Sequence, residues 1–131
     1  MRISRWNTAF LLLMLVASLT GCATGQYTPL GEAGSNIVEQ LKESVYRVEY
    51  RVGAFTSQEQ LDRYLRRRCA ELTLREGHDY FHMGGRLDVL GLSRRTAMTV
   101  TLYKHPKPVG IPDLHNAKDV LAETIVTPPS N

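Results

Sequence analysis

The sequence predicts an α+β domain, because two alternating strands enclose one long amphipathic helix. Residues 45–52, VYRVEYRV, and residues 96–103, TAMTVTLY, alternate apolar and polar side chains, as half-buried strands do. Residues 56–77 carry apolar side chains at helical spacing. From the order strand, helix, strand, strand, helix we expect a small antiparallel sheet of about three to four strands. The long helix should pack across this sheet, and a short helix should follow near the C-terminus.

The first strand, over residues 45–52, is expected to bury one face. Successive side chains in a strand point to opposite faces, so alternation sorts them into two sets. Aromatic and β-branched residues dominate the apolar set, as sheets favour. The expected buried face carries Tyr46, Val48, Tyr50 and Val52, and the expected outer face carries Arg47, Glu49 and Arg51.

The long helix is expected to begin at a capping box and to end at a glycine. Ser57 with Gln60 has the spacing of such a box. Thr56 with Glu59 has the same spacing. Gly77 is well placed for a left-handed C-terminal cap. The expected buried stripe consists of Leu61, Tyr64, Leu65, Cys69 and Leu72.

Two further strands and the short helix complete the predicted domain. Residues 79–83, DYFHM, predict a strand that ends at Gly84 and Gly85, and residues 96–103 predict the next. Their connection should be a hairpin with some strand of its own. Asn116 is placed to cap a helix over residues 116–124. Residues 126–131, with two adjacent prolines, are predicted to form a disordered tail.

Arg68 is the exceptional residue of the predicted helix, because it projects into the apolar sector. Arginine stays charged, so a buried guanidinium needs partners or a path to water. One interpretation lays its stem on apolar surface with the charge in water. The other is a structural ion pair with Asp79 or Glu49. Neighbouring Cys69 is expected to be a buried small hydrophobe rather than a disulfide partner.

The N-terminus predicts export. Arg2 and Arg5 precede an apolar run of 11 residues, Ala9 to Leu19, and small residues follow it. That layout is typical of a secretory signal peptide over residues 1–21. The run is shorter than the roughly 20 residues that a membrane-spanning helix needs.

The residues that close this leader, Leu19, Thr20, Gly21 and Cys22, resemble the lipobox of bacterial lipoproteins. The resemblance implies cleavage before Cys22 and acyl chains on it that attach the protein to a membrane. The alternative is an ordinary exported protein in which Cys22 is incidental. Ala23 and Thr24 lack the aspartate that retains Gram-negative lipoproteins in the inner membrane. By that resemblance, the outer membrane is favoured over the inner one, with the domain on the periplasmic side.

Residues 22–36 are predicted to form the lipidated anchor and a flexible tether, and residues 37–125 the periplasmic domain. The tether is small, polar and glycine-rich. Without Arg2 and Arg5, the 16 basic residues fall to 14 against 13 acidic ones. A nucleic-acid partner is therefore not expected.

Reactive groups are sparse in the predicted domain. His78, His82 and His105 are the candidate metal ligands, but His78 and His82 would stand about 13 Å apart on a strand. No spacing marks a nucleophile, an acid–base pair or a cofactor site. We therefore expect neither catalytic residues nor a cofactor.

Several segments together resemble a group of small proteobacterial lipoproteins of unknown function. In that group, a Y-x-P tether leads to a YRV strand, then to a serine-capped helix through YL…R-x-AELTL…G and to a D-x-F strand. The matching residues are Tyr27, Pro29, Tyr46, Arg47, Val48, Tyr64, Leu65, Arg68, Ala70, Glu71, Leu72, Thr73, Leu74, Gly77, Asp79 and Phe81. The resemblance implies the anchored periplasmic address and the α+β domain, and it brings no catalytic residues. This chain departs from the group at Arg66, Arg67, His78 and His82.

The expected function is that of a lipid-anchored envelope lipoprotein whose periplasmic domain has a binding or structural role and no enzymatic one. An envelope protein is the expected partner. The alternative is a metal-binding or metal-sensing lipoprotein that uses His78, His82 and His105.

Overall fold

The computed structural model describes residues 27–34 and 37–123. The predicted signal peptide, Cys22 with its lipobox, and the predicted tail over 126–131 lie outside these residues. Within 27–34 and 37–123, no helix combines the length and the apolar character needed to cross a membrane.

The fold is α+β, as predicted, but its antiparallel sheet has five strands rather than three to four. The elements in chain order are β1 Val38–Lys42, β2 Val45–Gly53, α1 Gln58–Arg75, β3 Tyr80–Leu90, β4 Ser93–Tyr103, β5 Leu114–Asn116 and α2 Ala117–Ala122. The strand order across the sheet is β1-β2-β4-β3-β5, and every neighbouring pair is antiparallel. A 3-10 turn, Leu30–Glu32, precedes the sheet.

The two strands missing from the prediction are the two edges of the sheet. In β1, VEQLK, four of the five residues are exposed, so no apolar alternation marks the strand. β5 has three residues and pairs with the beginning of β3. Edge strands of this kind are held by their neighbours' hydrogen bonds and leave little trace in composition.

β3 continues through the glycines where we expected it to end. The register against β4 shifts between Gly84 and Leu87, so the glycines form a bulge inside the strand. Gly85 has φ +57°, and a Cβ there would stand 3.0 Å from Oγ1 of Thr99. Glycine is therefore required at the bulge, and the turn of the hairpin moves to Gly91.

α1 begins after Ser57, one of the two predicted caps, and ends before Gly77 as predicted. The Ser57 hydroxyl accepts a hydrogen bond from the backbone N–H of Gln60 at 3.1 Å. Gly77 follows the helix with φ +71°, in the left-handed region. All five residues of the predicted stripe are buried: Leu61, Tyr64, Leu65, Cys69 and Leu72.

The core lies between α1 and one face of the sheet. The side chains of β2 alternate as predicted, with Tyr46, Val48 and Tyr50 buried under α1, while Arg47 and Arg51 are exposed on the opposite face. Phe81 of β3 and Val100 of β4 complete the same layer. The short α2 packs beside α1, and the Asn116 side chain caps it as predicted.

Candidate functional site

Residues 27–34, which we call the strap, were expected to belong to a flexible tether, but the structure packs them on the domain. Tyr27 packs against the core, and Leu30 is 7% exposed within it. The backbone N–H of Thr28 donates a hydrogen bond to the Tyr50 hydroxyl at 2.8 Å. Residues 27–34 of the expected tether are therefore folded on the domain, because they carry two large side chains, Tyr27 and Leu30, that pack into the core.

Three tyrosines hold the beginning of the strap. The ring of Tyr27 stacks on Tyr50 with centroids 5.7 Å apart and an angle of 11° between planes. Tyr64 on α1 closes the trio, 5.4 Å from Tyr27 and 5.3 Å from Tyr50. Each such pair contributes about 0.5–1.5 kcal/mol beyond area burial. Burial, with the nearby negative charge of Glu71, also raises the pKa of Tyr27, so its hydroxyl stays neutral.

Arg68 joins the strap to the sheet, and it does so through main-chain carbonyls. Its guanidinium donates to the carbonyl of Thr28 at 2.7 Å and to that of Glu49 at 3.0 Å. The same group lies 4.1 Å from the ring centroid of Tyr50. The residue is 2% exposed, so the charge does not reach water as one interpretation proposed.

The structure does not bring Arg68 and Asp79 together. The Asp79 carboxylate accepts from the backbone N–H of His105 at 3.0 Å. The Glu49 carboxylate faces Arg95 and Arg51 on the other side of the sheet, at 3.6 and 3.9 Å. Neither acid is therefore the counter-ion of Arg68, because the strap and β2 present carbonyl oxygens directly to the guanidinium.

Glu71, one turn beyond Arg68 on α1, and Arg67 also contact the strap. The Glu71 carboxylate accepts from the backbone N–H of Leu30 at 2.7 Å, which satisfies a donor that the 3-10 turn leaves free. Arg67 lies 3.8 Å from the same carboxylate and 5.6 Å from the Tyr27 ring centroid. We call Tyr50, Tyr64, Arg68 and Glu71 the clasp.

The histidines proposed as metal ligands do not converge. Nδ1 of His78 lies 2.8 Å from the carbonyl of Glu76, and Nε2 lies 3.2 Å from the Ser44 hydroxyl. Since a carbonyl only accepts, Nδ1 is the donor and both ring nitrogens of His78 are engaged. Within 27–34 and 37–123, no three His, Cys, Asp or Glu residues, His82 and His105 included, group closely enough to hold a metal ion.

Cys69 is the buried small residue that the sequence predicted. It is fully buried and has no disulfide. Burial raises the pKa of its thiol far above the usual range, so the nucleophilic thiolate is not formed at neutral pH. The side chain fills space under α1 and has no path to a substrate.

The face of the sheet opposite α1, which we call the open face, carries a shallow depression of about 210 Å³. Its lining is mixed: Leu87 and Val89 of β3 form one apolar side, and Glu49 of β2, paired to Arg95 of β4, lies next to them. The lining residues are Ile37, Glu39, Arg47, Glu49, Leu87, Val89, Arg95 and Ala97. Leu87 and Val89 face this side because the bulge at Gly85 shifts the register of β3.

Comparison with known proteins gives no match: no family model fits the chain, and no curated protein or solved structure is similar to it. The strap and the clasp are the features that sequence reasoning missed. One signal was present, since Tyr27 and Leu30 are large apolar residues within an otherwise small and polar stretch.

Proposed function

We propose that this chain is a bacterial lipoprotein, attached through acyl chains on Cys22 to the periplasmic side of the outer membrane. The observation that carries the proposal is the sequence LTGC at the end of an 11-residue apolar run that follows two arginines. A thiolate is the side-chain nucleophile best suited to accept a lipid. Two or three acyl chains anchor stably, whereas one does so only marginally.

The strap supports this proposal by defining how the domain is attached. The strap begins at Tyr27, five positions after Cys22. Five residues span at most about 18 Å. An anchor at Cys22 would therefore hold the domain close to the bilayer surface.

We propose a binding role without catalysis for the domain, with another envelope protein as the partner. The open face is the surface that suits it best, because the exposed apolar side chains of Leu87 and Val89 lie beside the charged pair of Glu49 and Arg95. Interfaces between proteins bury apolar and polar side chains together. Cys69 is buried in the core, and the Asp79 carboxylate accepts a backbone hydrogen bond from His105, so both groups are engaged in the fold.

Metabolic labelling tests the anchor. Cells that produce the protein are grown with a palmitate analogue, and label on the wild type is compared with label on Cys22→Ala. Cys69→Ala is the matched control, since it removes the other thiol of the chain. We expect label on the wild type and on Cys69→Ala, and none on Cys22→Ala. Equal label on all three, or on none, contradicts the proposal.

Site-specific crosslinking tests the binding face. A photoreactive amino acid replaces Val89 on the open face or, as control, the exposed Lys118 on α2. We expect a discrete adduct of higher mass from position 89 and none from position 118. Recovery of monomer alone from both positions would remove the open face as the site of a partner.

A further inference from the structure

Three large apolar side chains stand exposed at one end of the domain. Phe55 and Leu92 are fully exposed, and Leu90 is 69% exposed. Phe55 lies in the turn between β2 and α1, while Leu90 and Leu92 form the hairpin between β3 and β4. We call these three residues the apolar tip.

The sheet register brings the two loops of the apolar tip together. Gly53, the last residue of β2, pairs with Ser93, the first residue of β4. Arg94 then donates a side-chain hydrogen bond to the carbonyl of Thr56 at 3.1 Å, which links the hairpin to the turn. The tip is therefore a single feature built on the end of the sheet.

The strap enters the domain from the direction of this end. Its contacts advance along α1, since Tyr27 meets Tyr64, Thr28 meets Arg68 and Leu30 meets Glu71. The strap thus runs parallel to α1, and its first residue is the one nearest the N-terminal end of the helix.

The distances agree with that direction. The six residues from Gln58 to Tyr64 rise about 9 Å along α1. Phe55 lies just beyond Gln58. Five residues can span up to about 18 Å, so the chain between Cys22 and Tyr27 is long enough for a lipid on Cys22 to reach the level of the apolar tip.

We propose that the apolar tip inserts into the interface of the same bilayer that holds the acyl chains of Cys22. This inference rests on the proposed lipid anchor. Phe and Leu side chains that face water singly on a loop gain free energy at the boundary between headgroups and acyl chains. Arg51, which is mostly exposed at the end of β2, and Arg94 lie beside the tip, where guanidinium groups meet lipid phosphates.

This orientation has a consequence for the partner. α1 and the strands then stand on the membrane at the end formed by the tip, and the open face points sideways along the bilayer surface. A protein in the same membrane, or one lying close to it, is the class of partner that this face can reach.

Fluorophores at opposite ends of the domain test the insertion. Leu92→Cys places a thiol on the tip, and Val109→Cys places one in the connection between β4 and β5. Val109 is equally exposed, and the pairing of Tyr80 with Tyr103 puts that connection at the other end of the sheet. The full lipidated protein is labelled with an environment-sensitive dye in phosphatidylethanolamine and phosphatidylglycerol vesicles. Cys69 is buried and does not compete for the dye.

We expect the dye at position 92 to be quenched by nitroxide lipids and shielded from iodide in the buffer. The dye at position 109 should show the opposite behaviour. Adding Phe55→Ser to Leu92→Cys should reduce the lipid quenching. The insertion is overturned if both dyes respond to iodide alike, or if position 92 is shielded without lipid quenching, as contact with a second protein copy would produce.

Flotation of the same samples separates this proposal from the one it rests on. Protein that floats with the vesicles while both dyes remain open to iodide keeps its anchor and lacks the insertion. Protein that does not float, and carries no lipid by mass spectrometry, contradicts the lipoprotein proposal itself.

Discussion

Replacing Arg68 by methionine removes the guanidinium at the centre of the clasp while keeping an unbranched stem of similar length. The carbonyls of Thr28 and Glu49 then lose donors at 2.7 and 3.0 Å. A buried group left without its partner costs about 1–3 kcal/mol. The contact with the Tyr50 ring contributes about 1 kcal/mol more. Methionine carries no charge, so the variant avoids the free-energy cost of burying the guanidinium, and this offsets part of the loss.

For Arg68→Met we therefore expect the free energy of unfolding to fall by about 2–4 kcal/mol. Urea denaturation followed by circular dichroism measures the fall, since the single tryptophan, Trp6, lies in the predicted leader. Arg63→Met is the control, because Arg63 is partly exposed and pairs with Glu59 along the helix. That surface pair should contribute less than about 0.5 kcal/mol. If the two variants unfold at the same urea concentration, the clasp does not stabilise the fold as argued.

Three further predictions concern the bulge, the buried thiol and a titrating histidine. Gly85→Ala should lower the free energy of unfolding by about 1–3 kcal/mol, because its φ is positive and its Cβ would meet Thr99. Gly91→Ala, where a Cβ meets nothing within 4 Å, is the control in the same urea titration, and equal losses would refute the role of the bulge. Cys69 should react with iodoacetamide only at the rate of unfolding, since it is buried with a raised thiol pKa; fast labelling of the native protein would contradict this. Burial lowers the pKa of His115 below its usual value of about 6.5, so the unfolded chain takes up the proton first and stability should fall as pH drops through that value. His115→Gln should flatten the melting temperature between pH 7 and pH 5, and an unchanged slope would show that this histidine does not contribute.

Local patterns predicted the elements whose side chains alternate or repeat strongly. The alternation of Tyr46, Val48 and Tyr50 gave β2 its buried face, and the hydroxyl of Ser57 marked the first turn of α1. In both cases a residue's environment is set by neighbours close in sequence. That is the condition under which periodicity is informative.

The elements that the prediction missed depend on partners far away in the chain. The residues of β1 are mostly exposed, so they carry no apolar pattern of their own. They form a strand because they hydrogen-bond to the free edge of β2. We interpreted the glycines of β3 as the end of the strand, because a Gly-Gly pair is equally typical of a turn and of a bulge. Pairing with β4 decides between these two outcomes, and that pairing is tertiary information.

The clasp was out of reach for the same reason. Sequence placed Arg68 in the apolar sector of α1 and required a partner for its charge. The partners we considered from the sequence were carboxylates, because a sequence gives the type of each side chain. It does not give the positions of main-chain carbonyls. The carbonyl of Thr28 becomes available only when the strap folds back on α1, 40 positions away in the chain.

The parallel course of the strap and α1 has a mechanical consequence. If the chain is anchored at Cys22 and binds a partner, as proposed, movement of the partner away from the bilayer puts tension on the chain, and that tension reaches the fold at Tyr27. If the pull is directed past the N-terminal end of α1, the tyrosine stack and the bonds of Thr28 and Leu30 are loaded in shear, all at once rather than one after another. Contacts that must all break together resist far more force than contacts that break one at a time. The strap would then keep the domain folded while the protein is under tension between the membrane and the partner.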